Sequence, residues 1–150
     1  MLHRSIGFPV VILRPFFIFG PGQDKGKFLP WAIEQAMLGH EISMTKGEQT
    51  RDPIWVTDVA GLFIMACIKE SAIGEVINIA SGSSVSLAEI VGVISATVGN
   101  GKFKLGNLPY RHGEIMRSEA DITKLNELFG SISAITINEG IRKLVNGESM

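Results

Sequence analysis

Three scarcities narrow the range of proteins to which this sequence can belong. The 150 residues include one cysteine, Cys67, which can form no internal disulfide and has no metal-ligating partner at a suitable spacing. No apolar run reaches the roughly 20 residues of a membrane-spanning helix, and the N-terminal residues lack the apolar core of a secretory signal. The formal net charge of -1 argues against nucleic acid or an anionic membrane as a general partner. We therefore expect a cytoplasmic protein with no metal site.

What is present is an alternation of short apolar strands and helices. The segment FPVVILRP is apolar without interruption and ends at Pro15, which predicts a strand buried on both faces, as in a parallel sheet. The segments EISMT, GEVINIA and KFKL predict further strands. The alternation indicates an α/β fold. About four strands and five helices are few for a doubly wound sheet, and LHRSIG at the start resembles the end of a helix, so the fold reads as incomplete.

Helix boundaries are signalled by capping residues. The pairs Ser86–Glu89 and Thr136–Glu139 each have the spacing of a capping box, in which a hydroxyl and a carboxylate satisfy the first free N–H groups of a helix. The segment DVAGLFIMACIKE predicts a helix capped by Asp58. Because this segment is apolar almost all round, we expect the helix to be buried, with Cys67 in the core.

A strand followed by glycines is the usual sign of a dinucleotide phosphate loop, and IFGPGQDKG has this appearance. The fit is poor, because Pro21 removes a backbone N–H between Gly20 and Gly22, and the next helix is predicted only near Pro30. The spacing also differs from G-x-G-x-x-G. A surface loop with turn residues is the simpler interpretation.

A series of segments matches one family pattern in order and spacing. They are ILRPFFIFGPG, KFLP, KGEQTRDPIWVTDVA, EVINIASGSSVSLAEI, PYRHGEI, ADITKLNELFG and INEGIRKLV. Together they resemble the late part of the extended short-chain dehydrogenases, the NAD-dependent epimerases and dehydratases of nucleotide sugars. The resemblance implies an α/β fold made of the late part of a Rossmann-like doubly wound sheet plus a small α/β substrate-binding subdomain. Residues 1–22 would form the late Rossmann strand and crossing loop. Residues 23–150 would form mainly the subdomain, with some segments returning to the sheet.

The family's catalytic and cofactor motifs are not found in this sequence. Members bind NAD through an N-terminal G-x-x-G-x-x-G and move protons with a Y-x-x-x-K pair, whereas Tyr110 is the only tyrosine and Glu114 follows it by four residues. The resemblance thus assigns no catalytic residue, and we expect this chain alone to be inactive and not to bind NAD. A missing N-terminal Rossmann half would supply NAD and the base. The usual dimer helices precede the matching region, so no dimer is assumed.

The resemblance places a nucleotide sugar on a small set of residues. Arg51 and Arg111 occupy the positions of two diphosphate-binding arginines, and guanidinium groups suit phosphate. Glu114 matches an acid that bonds a ribose hydroxyl. The alternatives are an ion pair of Arg51 with Asp52 or another acid, and of Glu114 with Arg111.

Further contacts follow from position in the family pattern. Lys27 and Phe28 lie where relatives approach phosphate or sugar, with a solvated loop lysine as the alternative for Lys27. Met44 and Thr45 would run along the base, with ordinary core packing as the alternative for Met44. Pro15 and Phe16 are candidate NAD contacts. A departure is Phe17, since many relatives have a phosphate-binding asparagine there.

Three hypotheses remain open from sequence. The first is the substrate-binding half of an NAD-dependent nucleotide-sugar epimerase or dehydratase, which holds the nucleotide diphosphate while the missing half supplies NAD and the Tyr/Lys base. The second is a non-catalytic nucleotide-sugar binding module that docks with a separate Rossmann half. The third is a truncated remnant with no stable fold of its own.

Overall fold

The computed structural model describes residues 2–132 and 134–147, which form a mixed α/β arrangement of short elements. The helices are α1 (Leu2–Ile6), α2 (Phe28–Met37), α3 (Val56–Ile68), α4 (Leu87–Val98), α5 (Thr123–Phe129) and α6 (Ile137–Asn146), with a 3₁₀ turn at Glu70–Ala72. The strands are β1 (Ile12–Pro15), β2 (Phe17–Phe19), β3 (Glu41–Ser43), β4 (Thr50–Arg51), β5 (Pro53–Trp55), β6 (Val76–Ile79), β7 (Val85–Ser86) and β8 (Lys102–Lys104).

The predicted FPVVILRP strand is present at Ile12–Pro15, but the expectation that it is buried on both faces is wrong, since Ile12 is 48% exposed and Arg14 is also exposed. After this strand the chain changes its pairing partner. β1 pairs in parallel with β6, and β2 pairs in parallel with β5. The Phe16 N–H donates to Ile79 O at 2.9 Å, and the Phe17 N–H donates to Asp52 O at 3.2 Å. Residues 12–19 therefore form one extended segment that links two parallel sheets at Phe16.

Two further sheets lie toward the candidate site. β3 and β8, both predicted, pair in parallel, whereas β4 and β7 pair antiparallel in the register Thr50↔Ser86 and Arg51↔Val85. The sequence did not indicate β4 or β7, because a strand of two residues is too short to show an alternating pattern.

The core is divided between the two faces of β5. Trp55 packs with Phe19 in a cluster beneath α2, α4 and α6, and the two rings meet edge to face with centroids 5.1 Å apart. Ile54 packs with Leu62 and Leu125 in a second cluster. Neighbouring side chains of a strand point to opposite faces, so β5 stabilises both clusters at once.

Both predicted capping boxes are confirmed. Ser86 Oγ accepts from the Glu89 N–H at 3.1 Å, and Glu89 Oε2 accepts from the Ser86 N–H at 2.8 Å. Thr136 and Glu139 make the same pair of bonds at 3.2 and 2.9 Å. These bonds fix the starts of α4 and α6, the two helices that pack on each other beside the first core cluster.

The predicted cap of α3 is wrong. The helix begins at Val56, two residues before Asp58, and Trp55 at its N-cap makes no side-chain capping bond. Asp58 Oδ2 instead accepts from the Ile135 N–H at 2.9 Å. The carboxylate therefore joins α3 to the segment before α6, a tertiary contact that local sequence does not reveal.

The expectation that α3 is buried all round, with Cys67 in the core, is also wrong. Phe63, Ile64 and Ile68 are 47%, 68% and 79% exposed, and Cys67 is exposed. We call the open space beside them the α3 groove; its volume is about 460 Å3, and it is lined by Pro9, Val11, Leu13, Phe63, Ala66, Cys67 and Ile73. β1 is at the edge of its two-stranded sheet, so no further strand within the described residues covers the groove from that side.

Candidate functional site

Arg51 is held in a fixed position at the end of β4. Its Nη1 donates to Thr50 O at 2.7 Å and to Ile115 O at 2.8 Å, and its Nη2 donates to Glu114 Oε1 at 2.9 Å. The side chain is 19% exposed. An arginine fixed by three acceptors loses little further freedom when it binds an anion, which makes it suitable as a preorganised donor.

Glu114 binds a second arginine through its other oxygen. Arg111 Nε donates to Glu114 Oε2 at 2.6 Å, and the Glu114 N–H donates to Arg111 O at 3.2 Å, which closes a short turn. The Arg111 side chain is 78% exposed, whereas that of Glu114 is 11% exposed. We call these three residues the Arg–Glu–Arg cluster; two guanidinium groups and one carboxylate give it a net charge of +1.

Both ion-pair alternatives that the sequence left open are present in this cluster. The acid that meets Arg51 is Glu114 and not the adjacent Asp52, since neighbouring strand residues point to opposite sides. The diphosphate role of Arg51 and Arg111 and the ribose role of Glu114 stay predictions. An ion pair in the ligand-free chain is compatible with phosphate binding, because each guanidinium has further N–H groups.

Asp52 is a structural residue that sequence reasoning missed. It is fully buried, and its Oδ1 accepts from Ser81 N at 2.9 Å, Ser81 Oγ at 2.8 Å and Gly82 N at 3.2 Å. Its Oδ2 accepts from the Ala120 N–H at 3.3 Å. Asp52 therefore ties two loops to the strand that carries Arg51. The sequence signal for this role was the position of the acid directly before the apolar run PIWV.

A shallow cleft lies next to Arg51. Its volume is about 350 Å3, and it is lined by Pro15, Phe16, Phe17, Arg51 and Ser118. The cleft thus brings the two candidate cofactor residues beside one candidate phosphate residue. Phe17 supplies an apolar wall where the family pattern has a polar side chain.

The remaining candidates are not joined to the cluster by hydrogen bonds within the described residues. Lys27 is exposed at the N-cap of α2, and Phe28, the first residue of that helix, packs against the first core cluster. Met44 is buried; its N–H donates to Lys104 O and its carbonyl accepts from the Leu108 N–H, both at 3.1 Å. These backbone bonds continue the pairing of β3 with β8, and the buried side chain fits the core-packing alternative for Met44. Reading of a base by Met44 and Thr45 stays a prediction.

The Tyr110 hydroxyl both donates and accepts a hydrogen bond. The hydroxyl donates to Glu48 Oε2 and accepts from the Glu48 N–H, each at 3.1 Å. These bonds hold the segment before Arg111 against the loop before β4. The tyrosine therefore positions the Arg–Glu–Arg cluster from one side.

The glycine loop does not fit the pyrophosphate of NAD. Gly20 has φ +144°, and a Cβ there would lie 2.5 Å from Val56 Cγ1, so this glycine allows β2 to approach α3 closely. The next helix, α2, begins only at Phe28. Five residues separate Gly22 from Phe28, so the helix N-terminus does not directly follow the Gly20–Gly22 turn as it does in a dinucleotide cradle. The described residues also contain no group of three or more metal-ligating side chains, and no helix among them is long and apolar enough to cross a membrane.

The fold and the cluster together define an α/β, Rossmann-type protein with a preformed guanidinium pair. The family model for the NAD-dependent epimerase/dehydratase family matches residues 1–80. The chain therefore belongs to this family, as the sequence pattern indicated.

Individual relatives agree with the assignment. A putative UDP-glucose 4-epimerase from Methanocaldococcus jannaschii is 31% identical over 97% of this chain and 48% of its own length. A UDP-glucose 4-epimerase from Thermotoga maritima, solved with UDP-glucose, has a TM-score of 0.86 at 26% identity, covering 96% of this chain and 47% of that one. A Bacillus cereus UDP-glucuronic acid 4-epimerase variant, solved with UDP-4-deoxy-4-fluoro-glucuronic acid and NAD, has a TM-score of 0.83 at 28% identity, covering 96% of this chain and 46% of that one.

These comparisons confirm the predicted fold class and show how much of each relative this chain covers. The chain spans about half the length of the relatives it matches. Its similarity to nucleotide-sugar enzymes covers nearly all of its own length.

Proposed function

We propose that this chain is the substrate-binding portion of an NAD-dependent nucleotide-sugar epimerase or dehydratase. Residues 1–22 supply the late Rossmann strand and crossing loop, and residues 23–150 supply mainly the substrate-binding subdomain. The proposed ligand is a nucleotide-diphosphate sugar, whose diphosphate is held by Arg51 and Arg111. Support comes from the family membership and from the nucleotide sugars bound in the solved relatives.

The observation that carries the proposal is the Arg–Glu–Arg cluster beside the cleft. A diphosphate presents several anionic oxygens, and two guanidinium groups of defined spacing can bind them with charge-assisted hydrogen bonds. Arg51 is buried enough to be only weakly screened by salt, and Arg111 is exposed where a ligand can reach it. Arg51 also lines the cleft, together with Pro15 at the end of the parallel strand β1.

The contribution of this chain to the reaction is orientation. The one carboxylate of the cluster, that of Glu114, is paired with both arginines, so we assign it no role as a general base. Binding a diphosphate at a fixed place holds the attached sugar in a defined position, which lowers the entropic cost of the chemical step. NAD and the tyrosine–lysine pair of the family belong, in this proposal, to an N-terminal half, with Pro15 and Phe16 at its border.

The proposal is tested by calorimetric titration of the purified chain with UDP-glucose, dTDP-glucose and, separately, NAD. We expect a nucleotide sugar to bind and NAD not to bind. Arg111→Ala should abolish measurable binding without loss of fold, because Arg111 is largely exposed. Arg51→Ala should also abolish binding, and because it removes three hydrogen bonds, thermal unfolding must first show that this variant is folded. Arg142→Ala, which removes an exposed positive charge from α6, is the control. A folded chain that binds no nucleotide sugar would contradict the proposal.

A second candidate is a non-catalytic nucleotide-sugar binding module that docks with a separately made Rossmann half, and the α3 groove favours it. Exposed Phe63, Ile64 and Ile68 form an apolar surface beside the edge strand β1, where a strand and a helix of another α/β segment can pack. Co-expression with the N-terminal half of a related epimerase should give a complex that Ile64→Glu disrupts and Leu105→Glu does not. A cooperative thermal transition of the isolated chain would exclude the remaining hypothesis of an unfolded remnant.

A further inference from the structure

The cleft beside Arg51 is lined by three consecutive residues, Pro15, Phe16 and Phe17. In a regular strand, neighbouring side chains point to opposite faces, so successive residues do not line one cavity. Here the chain bends at Phe17, because the Ile18 N–H donates to Phe16 O at 3.2 Å in the pattern of a γ-turn. The bend lies where the chain passes from one parallel sheet to the next, and it allows both half-buried phenylalanines to line the same cleft.

The same three residues offer a ligand no backbone N–H group. Pro15 has none. The Phe16 N–H donates to Ile79 O at 2.9 Å. The Phe17 N–H donates to Asp52 O at 3.2 Å. Since the side chains of this wall are apolar as well, a ligand hydroxyl placed against it finds no donor there to replace the water that it loses.

The two other residues that line the cleft are polar. They are Arg51 and Ser118. A guanidinium has five N–H groups, and three hydrogen bonds of Arg51 go to protein acceptors, so N–H groups remain for an anion. The cleft therefore suits an anionic group on Arg51 that is joined to an apolar group against the phenylalanines. In a nucleotide-diphosphate sugar, the group joined to the diphosphate is the sugar.

We infer that Phe17 is a specificity-determining residue and that the cleft accepts the methyl group of a 6-deoxyhexose in preference to the hydroxymethyl group of a hexose. The methyl group gains apolar contact with the wall, whereas the hydroxymethyl group loses solvation without a donor from residues 15–17. This carbon projects from the sugar ring, so it can enter a shallow cleft. The inference rests on the proposed function, because the sugar reaches Phe17 only if Arg51 holds the diphosphate.

Two ligands that differ by one oxygen atom test the preference. UDP-glucose or dTDP-glucose, whichever binds more tightly in the titration above, is compared with its 6-deoxyglucose counterpart, so that contacts to the nucleotide cancel. We expect the wild-type chain to bind the 6-deoxy ligand about ten-fold more tightly. Equal affinities, or a preference for glucose, would overturn the inference and leave the proposed function intact. A folded chain that binds neither ligand would overturn the proposed function itself, so the two failures are distinct.

Substitutions at Phe17 test whether this residue sets the preference. Phe17→Asn adds an amide to the wall and should reduce the preference to about two-fold or less, whereas Phe17→Leu keeps the wall apolar and should retain it. Phe8→Asn makes the same change at an exposed position before β1 and is the matched control. Because Phe17 packs against the first core cluster, thermal unfolding must show that each variant is folded. If Phe17→Asn does not fold, Phe17→His, which keeps a planar ring and adds an N–H, takes its place. An unchanged preference in the folded polar variant would contradict the role of Phe17.

Binding of UDP or dTDP alone shows which part of the ligand Phe17 contacts. We expect Phe17→Asn to leave the affinity for the nucleoside diphosphate within about two-fold of wild type, since only the sugar lies against the phenylalanine wall. If the variant changed binding of the nucleoside diphosphate as much as binding of the 6-deoxy ligand, Phe17 would act on the nucleotide and the inference would be wrong.

Discussion

Two helical glycines offer a test of the packing with opposite expected signs. Gly140 in α6 lies directly against the aromatic pair of the first core cluster. A Cβ at this position would lie against Phe19 Cε2, 2.8 Å from Phe19 Cζ and 2.9 Å from Trp55 Cε3. Gly92 in α4 is exposed, and a Cβ there would meet nothing within 4 Å.

The magnitudes follow from these surroundings. Alanine in a helix interior is favoured over glycine by about 1 kcal/mol, so Gly92→Ala should raise the free energy of unfolding by roughly 0.5–1 kcal/mol. Gly140→Ala has the same favourable effect on helix propensity, but its methyl group must displace two buried aromatic rings. Overpacking of this kind lowers the free energy of unfolding by about 1–3 kcal/mol. With both rings almost fully buried, we expect the upper end of this range and a net loss of about 1–2 kcal/mol.

Urea unfolding followed by circular dichroism measures both variants. Thermal unfolding gives a second measurement. At this chain length a change of 1 kcal/mol in the free energy of unfolding corresponds to about 3 °C, so the melting temperatures of the two variants should differ by roughly 5 °C or more. The m-value, the slope of the free energy of unfolding against urea concentration, should be unchanged, since neither substitution appreciably alters the surface that unfolding exposes. If Gly140→Ala proved as stabilising as Gly92→Ala, the packing of α6 on Phe19 and Trp55 described above would be incorrect.

Two further predictions concern buried and capping carboxylates. Asp52→Ala leaves the Ser81, Gly82 and Ala120 N–H groups without their acceptor and should lower the free energy of unfolding by about 3 kcal/mol or more. Asp52→Asn keeps an acceptor oxygen, so its loss of unfolding free energy, measured by urea titration, should be clearly smaller. The backbone N–H and hydroxyl of Thr136 lower the pKa of Glu139 below its ordinary 4.5, so its stabilisation is present above about pH 4.5 and is lost as pH falls through the folded pKa. Glu139→Gln should therefore lower the urea midpoint at pH 6, and the difference from wild type should shrink at pH 3.5; an equal difference at both pH values would contradict the assigned cause.

Local features of the fold were predictable from sequence because their causes are local. The Ser86–Glu89 and Thr136–Glu139 boxes lie within four residues, and Gly99, with φ +77°, ends α4 as a C-terminal glycine should. The parallel strand at 12–15 followed from uninterrupted apolarity. By contrast, Asp58 bonds an N–H at Ile135, far along the chain, and a cap was therefore expected where none forms.

The candidate site was predictable only as residue types at positions in a family pattern. That Arg51 and Arg111 share the carboxylate of Glu114 depends on a contact between residues 51 and 114, which no local pattern encodes. The same holds for Asp52, whose donors come from two distant loops. The exposure of α3 was missed because an apolar composition gives the tendency of a helix to be buried and says nothing of what is available to cover it.

The pairing of the strands has a consequence for how this chain acquires its structure. Each of the four sheets joins strands that are separated by other strands along the chain, and the described residues contain no hairpin. Every pairing therefore requires closure of a long loop before any ladder bond is gained, which predicts slow folding limited by non-local contacts. During synthesis β2 can pair as soon as residues 53–55 have emerged from the ribosome, whereas β3 must wait for residues 102–104, so the order in which the sheets can form differs from the order of their first strands along the chain.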